Sequence, residues 1–242
     1  MKLVGKIIGI GALVILILVI GIAGYFGFVP GVSTVMGANS PKDLGVKYTQ
    51  QDLQSARAKL GQQLLLLPEG LEPKASRTYS GQKPINQRFT QEELTALVND
   101  ARWRFHPVKD AQVRINDDGT VEFSGKLMKD RLEGLIESLE LVGESRDQLN
   151  KGLGFFLTDP AIYAKGSLTV TNNRMILNVD SAKVGRVPIP TESFSDDQDT
   201  LNSTAESLGK NIPGLFVRSL NFQGGRMNLD GTIPAIESVS PR

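Results

Sequence analysis

The chain reads as an α+β protein: an N-terminal transmembrane helix, then antiparallel hairpins packed on long helices. Three observations predict this. Residues 3–29 are an apolar run broken only by Lys6. Three later stretches alternate apolar and polar residues on either side of a two-residue turn, the signature of a hairpin. Before each of them, apolar residues recur three and four positions apart, as on one face of a helix.

The first run is long enough to cross a hydrocarbon core of about 30 Å at the helical rise. Lys2 and Lys6 lie at its amino end and residues 30–41 carry no charge, which favours a cytoplasmic N-terminus and an outward C-terminal part. The expectation is a single-pass protein of the plasma membrane, touching the lipid bilayer through residues 1–29. A cleaved signal is the competing reading, with small residues at Gly21-Ile22-Ala23. The apolar stretch exceeds a signal core of about 7–15 residues, however, and no Ala-x-Ala follows it. Both readings put the rest of the chain outside the cytoplasm, as a stem with an amphipathic helix over residues 30–74 and an α+β domain over residues 75–242.

In that stem, Leu53, Ala56, Leu60, Leu64 and Leu67 form a helical stripe opened by Thr49 with Asp52 three residues on, predicting a helix over 49–67 stopped by Pro68 and Gly70. Residues 75–79 and 85–89 are short strand candidates within a Pro-, Gly- and Ser-rich passage. Phe89-Thr90-Gln91-Glu92-Glu93-Leu94 is a capping box with a hydrophobic staple and starts a helix over 91–101. Residues 113–123 form a hairpin across Asp118-Gly119, and a helix follows over 130–150. The next hairpin joins 163–170 to 174–179 through Asn172-Asn173, residues that tolerate the left-handed backbone of a type I′ turn. A last helix over 194–212 precedes a hairpin across Gly224-Gly225. The recurring unit is a helix followed by a hairpin.

Composition excludes several functions. The chain has 27 lysines and arginines against 26 acids; without Lys2 and Lys6 the balance is 25 to 26, a net charge of −1. With no positive field, no nucleic-acid partner is expected. Cysteine is absent, which removes disulfides, thiolate catalysis and cysteine-based metal sites. The one histidine, His106, sits in Trp103-Arg104-Phe105-His106-Pro107 with no partner at catalytic spacing and reads as cover for one end of the sheet. Asp117 and Asp118 occupy a turn that favours Asp for backbone reasons. Asp196, Asp197 and Asp199 with Glu206 approach a calcium loop, but Thr200 stands where the loop needs glycine; these acids suit a helix start better. Phosphate loops, dinucleotide fingerprints, nucleophile elbows and zinc-protease motifs are absent. The expectation is a protein that is not an enzyme, with no cofactor and no metal.

Taken together, the anchor, the Phe89-Thr90-Gln91-Glu92-Glu93-Leu94 helix start, the hairpins, Ile212-Pro213-Gly214-Leu215 before the final hairpin, and Gly231 resemble the YpmS-like and LmeA-like extracytoplasmic lipid-binding proteins, which are similar to tubular lipid-binding (TULIP) domains. The likeness covers residues 75–234 and is one of pattern. It implies a strongly curved antiparallel sheet wrapped around a helix, holding a lipid ligand in an apolar groove. Candidate groove residues are Leu168, Val170, Met175, Leu177 and Val179 on the second hairpin, with Phe155 and Phe156 as the tip of a lid or membrane-touching edge. A filled core uses the same residues as an open groove. The function expected is therefore a membrane-anchored binding protein for a lipid or amphipathic ligand. The alternative is an envelope structural or assembly protein acting on an envelope protein partner through its sheet edges or the helix of the stem.

Overall fold

The computed structural model describes residues 40–138, 159–185, 187–190, 202 and 212–241. The expected transmembrane helix, Phe155 and Phe156, and the acidic cluster 196–199 with Glu206 lie outside the described residues. Among those described, no helix is long and apolar enough to cross a membrane.

Most of the described chain is sheet. In chain order the elements are α1 (Gln50–Leu60), β1 (Gln63–Leu66), a 3₁₀ turn (Pro73–Ala75), β2 (Arg77–Ser80), β3 (Lys83–Thr90), α2 (Gln91–Val98), β4 (Val108–Ile115) and β5 (Val121–Leu127). They continue with α3 (Lys129–Ser138), β6 (Ala161–Thr171), β7 (Arg174–Val184), β8 (Val187–Ile189), β9 (Phe216–Gln223), β10 (Arg226–Ile233) and β11 (Ile236–Val239). All three expected hairpins form: β4–β5, β6–β7 and β9–β10. Asn172 and Asn173 both have positive φ, 51° and 63°, as a type I′ turn requires. Of the helix expected over 130–150, the part to Ser138 is described and is helical; the helix expected over 194–212 lies almost wholly outside.

The helix of the stem is shorter than its leucine spacing predicts. Thr49 and Asp52 do form the capping box, but the helix ends at Leu60, where Gly61 adopts a left-handed backbone (φ 54°) and its N–H returns to Arg57. Leu64 therefore continues no helix. Gln63–Leu66 is a strand running parallel to β11, which pairs antiparallel with β2 on its other side. An i, i+4 leucine spacing fits either structure until the glycine turns the chain. α2 likewise stops at Val98, three residues before its expected end, with Asn99 as its C-cap.

The main sheet is antiparallel, curved and open. Its order is β3-β10-β9-β6-β5-β4, with β7 on the far side of β6 and β8 beyond it. β6 is the fork. Residues 161–166 pair with β5, residues 170 and 171 pair with β9, and the opposite edge of β6 pairs with β7 almost throughout. Two limbs thus leave one long strand: β5–β4 and β9–β10–β3. A bulge at Asp180 resets the alternation of β7, so that Ala182 as well as Val179 follows the parity of Ala164 and Gly166.

Helix α2 bridges the ends of the limbs. It follows β3 directly, and a polar row along it bonds the outer edge of β4: Gln91 Oε1 accepts from the Ile115 N–H, Thr95 Oγ1 from Val113 N–H (3.0 Å), and Asn99 Oδ1 from Ala111 N–H (2.9 Å) while its Nδ2 donates to Ala111 O (2.8 Å). The match is geometric. Four residues of helix rise about 6 Å, close to the advance of two strand residues, so side chains substitute for a neighbouring strand on an edge that would otherwise be open. Asn99→Ala leaves the buried edge groups of Ala111 without partners and is expected to lower stability by about 2–3 kcal/mol, read as a shift in the urea midpoint.

Candidate functional site

The hairpin β6–β7 carries the sequence-derived candidates, and its register places them together. Leu168 faces Leu177, Val170 faces Met175, and Gly166 faces Val179; with a period of two, all of these project from one face of the sheet. Leu168, Val170, Met175 and Leu177 are buried and Val179 is half-buried, against a surface to which Phe123 of β5, Leu220 of β9, Leu229 and Met227 of β10 and Phe89 of β3 also belong. The opposite face of the same hairpin is polar: Thr169, Thr171, Arg174 and Asn178 are exposed, with Ile176 the one large apolar exception. On the edge of β7 away from β6, Asn202 Oδ1 accepts from the Leu177 N–H at 3.2 Å.

The polar candidates are absorbed locally. Asp118 Oδ1 accepts from both the N–H and the hydroxyl of Thr120, closing the β4–β5 turn. His106 is half-buried and its backbone N–H donates to Trp103 O at 3.1 Å, in the turn between α2 and β4. Among the described residues, no group of three or more His, Asp or Glu side chains is placed to hold a metal.

Sequence reading gives no sign that four acids are buried among the described residues, Glu93, Asp100, Glu122 and Glu237, because the basic partners that cover them lie far along the chain. Glu93 is 4% exposed. Its carboxylate accepts from Lys59 Nζ (2.6 Å), the Ser55 hydroxyl and the Thr90 N–H (2.9 Å), so the capping box of α2 also fastens α1. Burial alone would raise the Glu93 pKa, but these donors outweigh it and hold the carboxyl below its ordinary value. A depressed carboxylate pKa stabilises the fold above the unfolded value of about 4.3 and loses that contribution as pH falls through the folded value. Glu93→Gln is expected to flatten the decline in unfolding midpoint between about pH 5 and about pH 3; an unchanged acid limb refutes this. Glu122 is 8% exposed on the outward side of β5.

The most exposed large apolar side chain among the described residues is Leu66. β1 lies at the edge of the three-stranded sheet with Leu65 and Leu66 41% and 69% exposed, and among the described strands it pairs with β11 alone. Comparison of the chain with protein-family models, with curated proteins and with solved structures finds no match.

Proposed function

We propose that this chain is a single-pass membrane protein whose extracytoplasmic domain binds a lipid or other amphipathic ligand against the inner face of its curved sheet, without catalysing a reaction. The observation that carries the reading is the continuity of that face. Strands from both limbs contribute apolar side chains to it, from Phe89 through Met227 and Leu220 to Val170, Met175 and Phe123. A concave apolar surface oriented by few polar groups suits an acyl chain, and the apolar run of residues 3–29 supplies a reason for the domain to stand beside a bilayer. The likeness to TULIP-type domains names the same ligand class.

The test is lipid analysis of full-length protein taken from membranes in mild detergent, by native mass spectrometry. A lipid retained in defined stoichiometry is expected, with reduced retention in Leu168→Trp and Met175→Trp variants of unchanged thermal unfolding. Lipid-free protein, or equal retention by the filled variants, rejects the proposal.

The exposed leucines of β1 favour a second reading, an assembly protein that accepts a partner's strand at this edge. A photo-crosslinking residue in place of Leu66 would then capture one reproducible protein in cells. Adducts to lipid alone, or none, would dismiss that reading.

A further inference from the structure

On β5 the side chains of Val121, Phe123 and Gly125 point to the inner face, so Glu122 and Ser124 belong to the outer one. Outer residues should be wet. Yet Glu122 is 8% exposed and Ser124 is 0% exposed. Residues 42–46 cross this face, reaching Gln112 of β4, Glu122 of β5 and the Tyr163 ring of β6. Leu44 and Val46 are each 5% exposed, and both of their N–H groups bond one acceptor, Gln112 Oε1, at 2.8 and 3.3 Å. Gln112 faces Ser124 in the sheet, and Ser124 faces Tyr163. Lys42 completes the crossing. Its ammonium lies 2.9 Å from Glu122 Oε2 and 4.1 Å from the centre of the Tyr163 ring, while the Tyr163 hydroxyl donates to the same carboxylate oxygen at 2.7 Å.

This attachment differs from the rest of the fold. Among the described residues it pairs with no strand. Two aliphatic side chains, one ion pair and one glutamine hold it, and Asp43, Gly45, Lys47 and Tyr48 are exposed. Leu44 and Val46 stand apart from the main apolar core, so lifting the segment leaves that core closed. Ser124 Oγ, which has no hydrogen-bond partner among the described residues, would regain water. Segments with few buried apolar contacts open locally, below the free energy of global unfolding.

The segment also occupies a particular place in the chain, between the apolar run ending at residue 29 and Thr49, the N-cap of α1. With residues 42–46 seated, residues 30–41 alone connect that run to the domain, a reach of at most about 40 Å when extended. Unseated, the connection runs to Thr49 and gains about 25 Å.

We propose that residues 42–46 are a releasable clasp: seated on Gln112, Glu122 and Tyr163, they hold the domain on a short tether with the outer face of β4–β6 turned to the connection, and released, they lengthen the tether. The clasp rests on the contacts above; its effect on distance from a bilayer rests on the anchored reading under Proposed function.

Full-length protein in lipid nanodiscs separates the two. Hydrogen exchange at the Leu44 and Val46 amides is expected to be faster than at β5 and β6 amides. It should accelerate by about tenfold or more in Lys42→Ala and in Leu44→Ser, with β5 and β6 unchanged. Because the chain has no cysteine, Ile176→Cys gives a single attachment point for a fluorescent donor on the exposed side of β7. Energy transfer from it to acceptor lipids is expected to change in both variants relative to the otherwise native chain. Leu44 and Val46 amides that exchange only together with β5 and β6 overturn the clasp. Faster exchange with unaltered transfer overturns its control of the tether. No transfer in any form of the protein, with the exchange results as expected, leaves the clasp standing and defeats the anchored reading.

Discussion

Trp103→Ala is expected to lower the unfolding free energy by about 3–5 kcal/mol, the largest effect of any single side-chain truncation in the described domain. Trp103 is 1% exposed and joins three stretches distant in sequence. Its indole N–H donates to Ser76 Oγ at 2.9 Å, and that hydroxyl donates to Pro73 O. Ser240 N–H donates to Ser76 O, and Arg104 N–H to Ser240 O. The Phe105 ring meets Trp103 edge-on at 5.7 Å, and the Arg77 guanidinium lies 4.9 Å from its ring centre. That guanidinium is itself paired with Glu237, which is 1% exposed, at 2.8 Å. Truncation leaves a large cavity and loosens a buried ion pair that relies on tight surroundings. Trp103→Phe retains most of the volume and should recover more than half of the loss. Chemical denaturation of the three forms decides this; an alanine form within about 1 kcal/mol of the native chain would show that the end of the sheet is not held here.

Gly166→Ala is expected to be nearly as damaging, at about 3 kcal/mol, for a reason that has nothing to do with cavities. A β-carbon at this position would lie 2.0 Å from the carbonyl oxygen of Asn178 and 3.1 Å from the α-carbon of Val179. Both obstacles are backbone of β7, so no rotamer change relieves them. Gly166 is also where β6 and β7 lose register, beside the bulge at Asp180, and where β6 stops pairing with β5. The fork of the sheet therefore depends on a residue with no side chain. Native-state hydrogen exchange should show the loss first in amides of 161–166 and 179–184; a uniform loss across the chain would contradict the argument.

Local features of the fold were legible in the chain because their causes are local. Thr49 with Asp52 and Thr90 with Glu93 cap helices through residues three positions apart, and both boxes form. The three hairpins follow from turn residues flanked by alternation, and the alternation of β6 and β7 correctly groups Leu168, Val170, Met175, Leu177 and Val179 on one face. Length was less legible. The leucine stripe from 53 to 67 satisfies helical spacing, and only the left-handed turn at Gly61 and the open edge of β11 make its second half a strand.

Other features depend on residues that meet only after folding. Gln91, Thr95 and Asn99 look like ordinary polar positions of a short helix until the edge of β4 is set beside them. Glu122 and Ser124 look like solvent-facing residues of a hairpin until residues 42–46 cross above them. The alternation of a strand states which side chains share a face, since that depends on the backbone alone. What lies against the face depends on chain segments tens of residues away, so the tertiary structure alone reveals the bridge made by α2, the forked course of β6 and the seat of Lys42 between Glu122 and Tyr163.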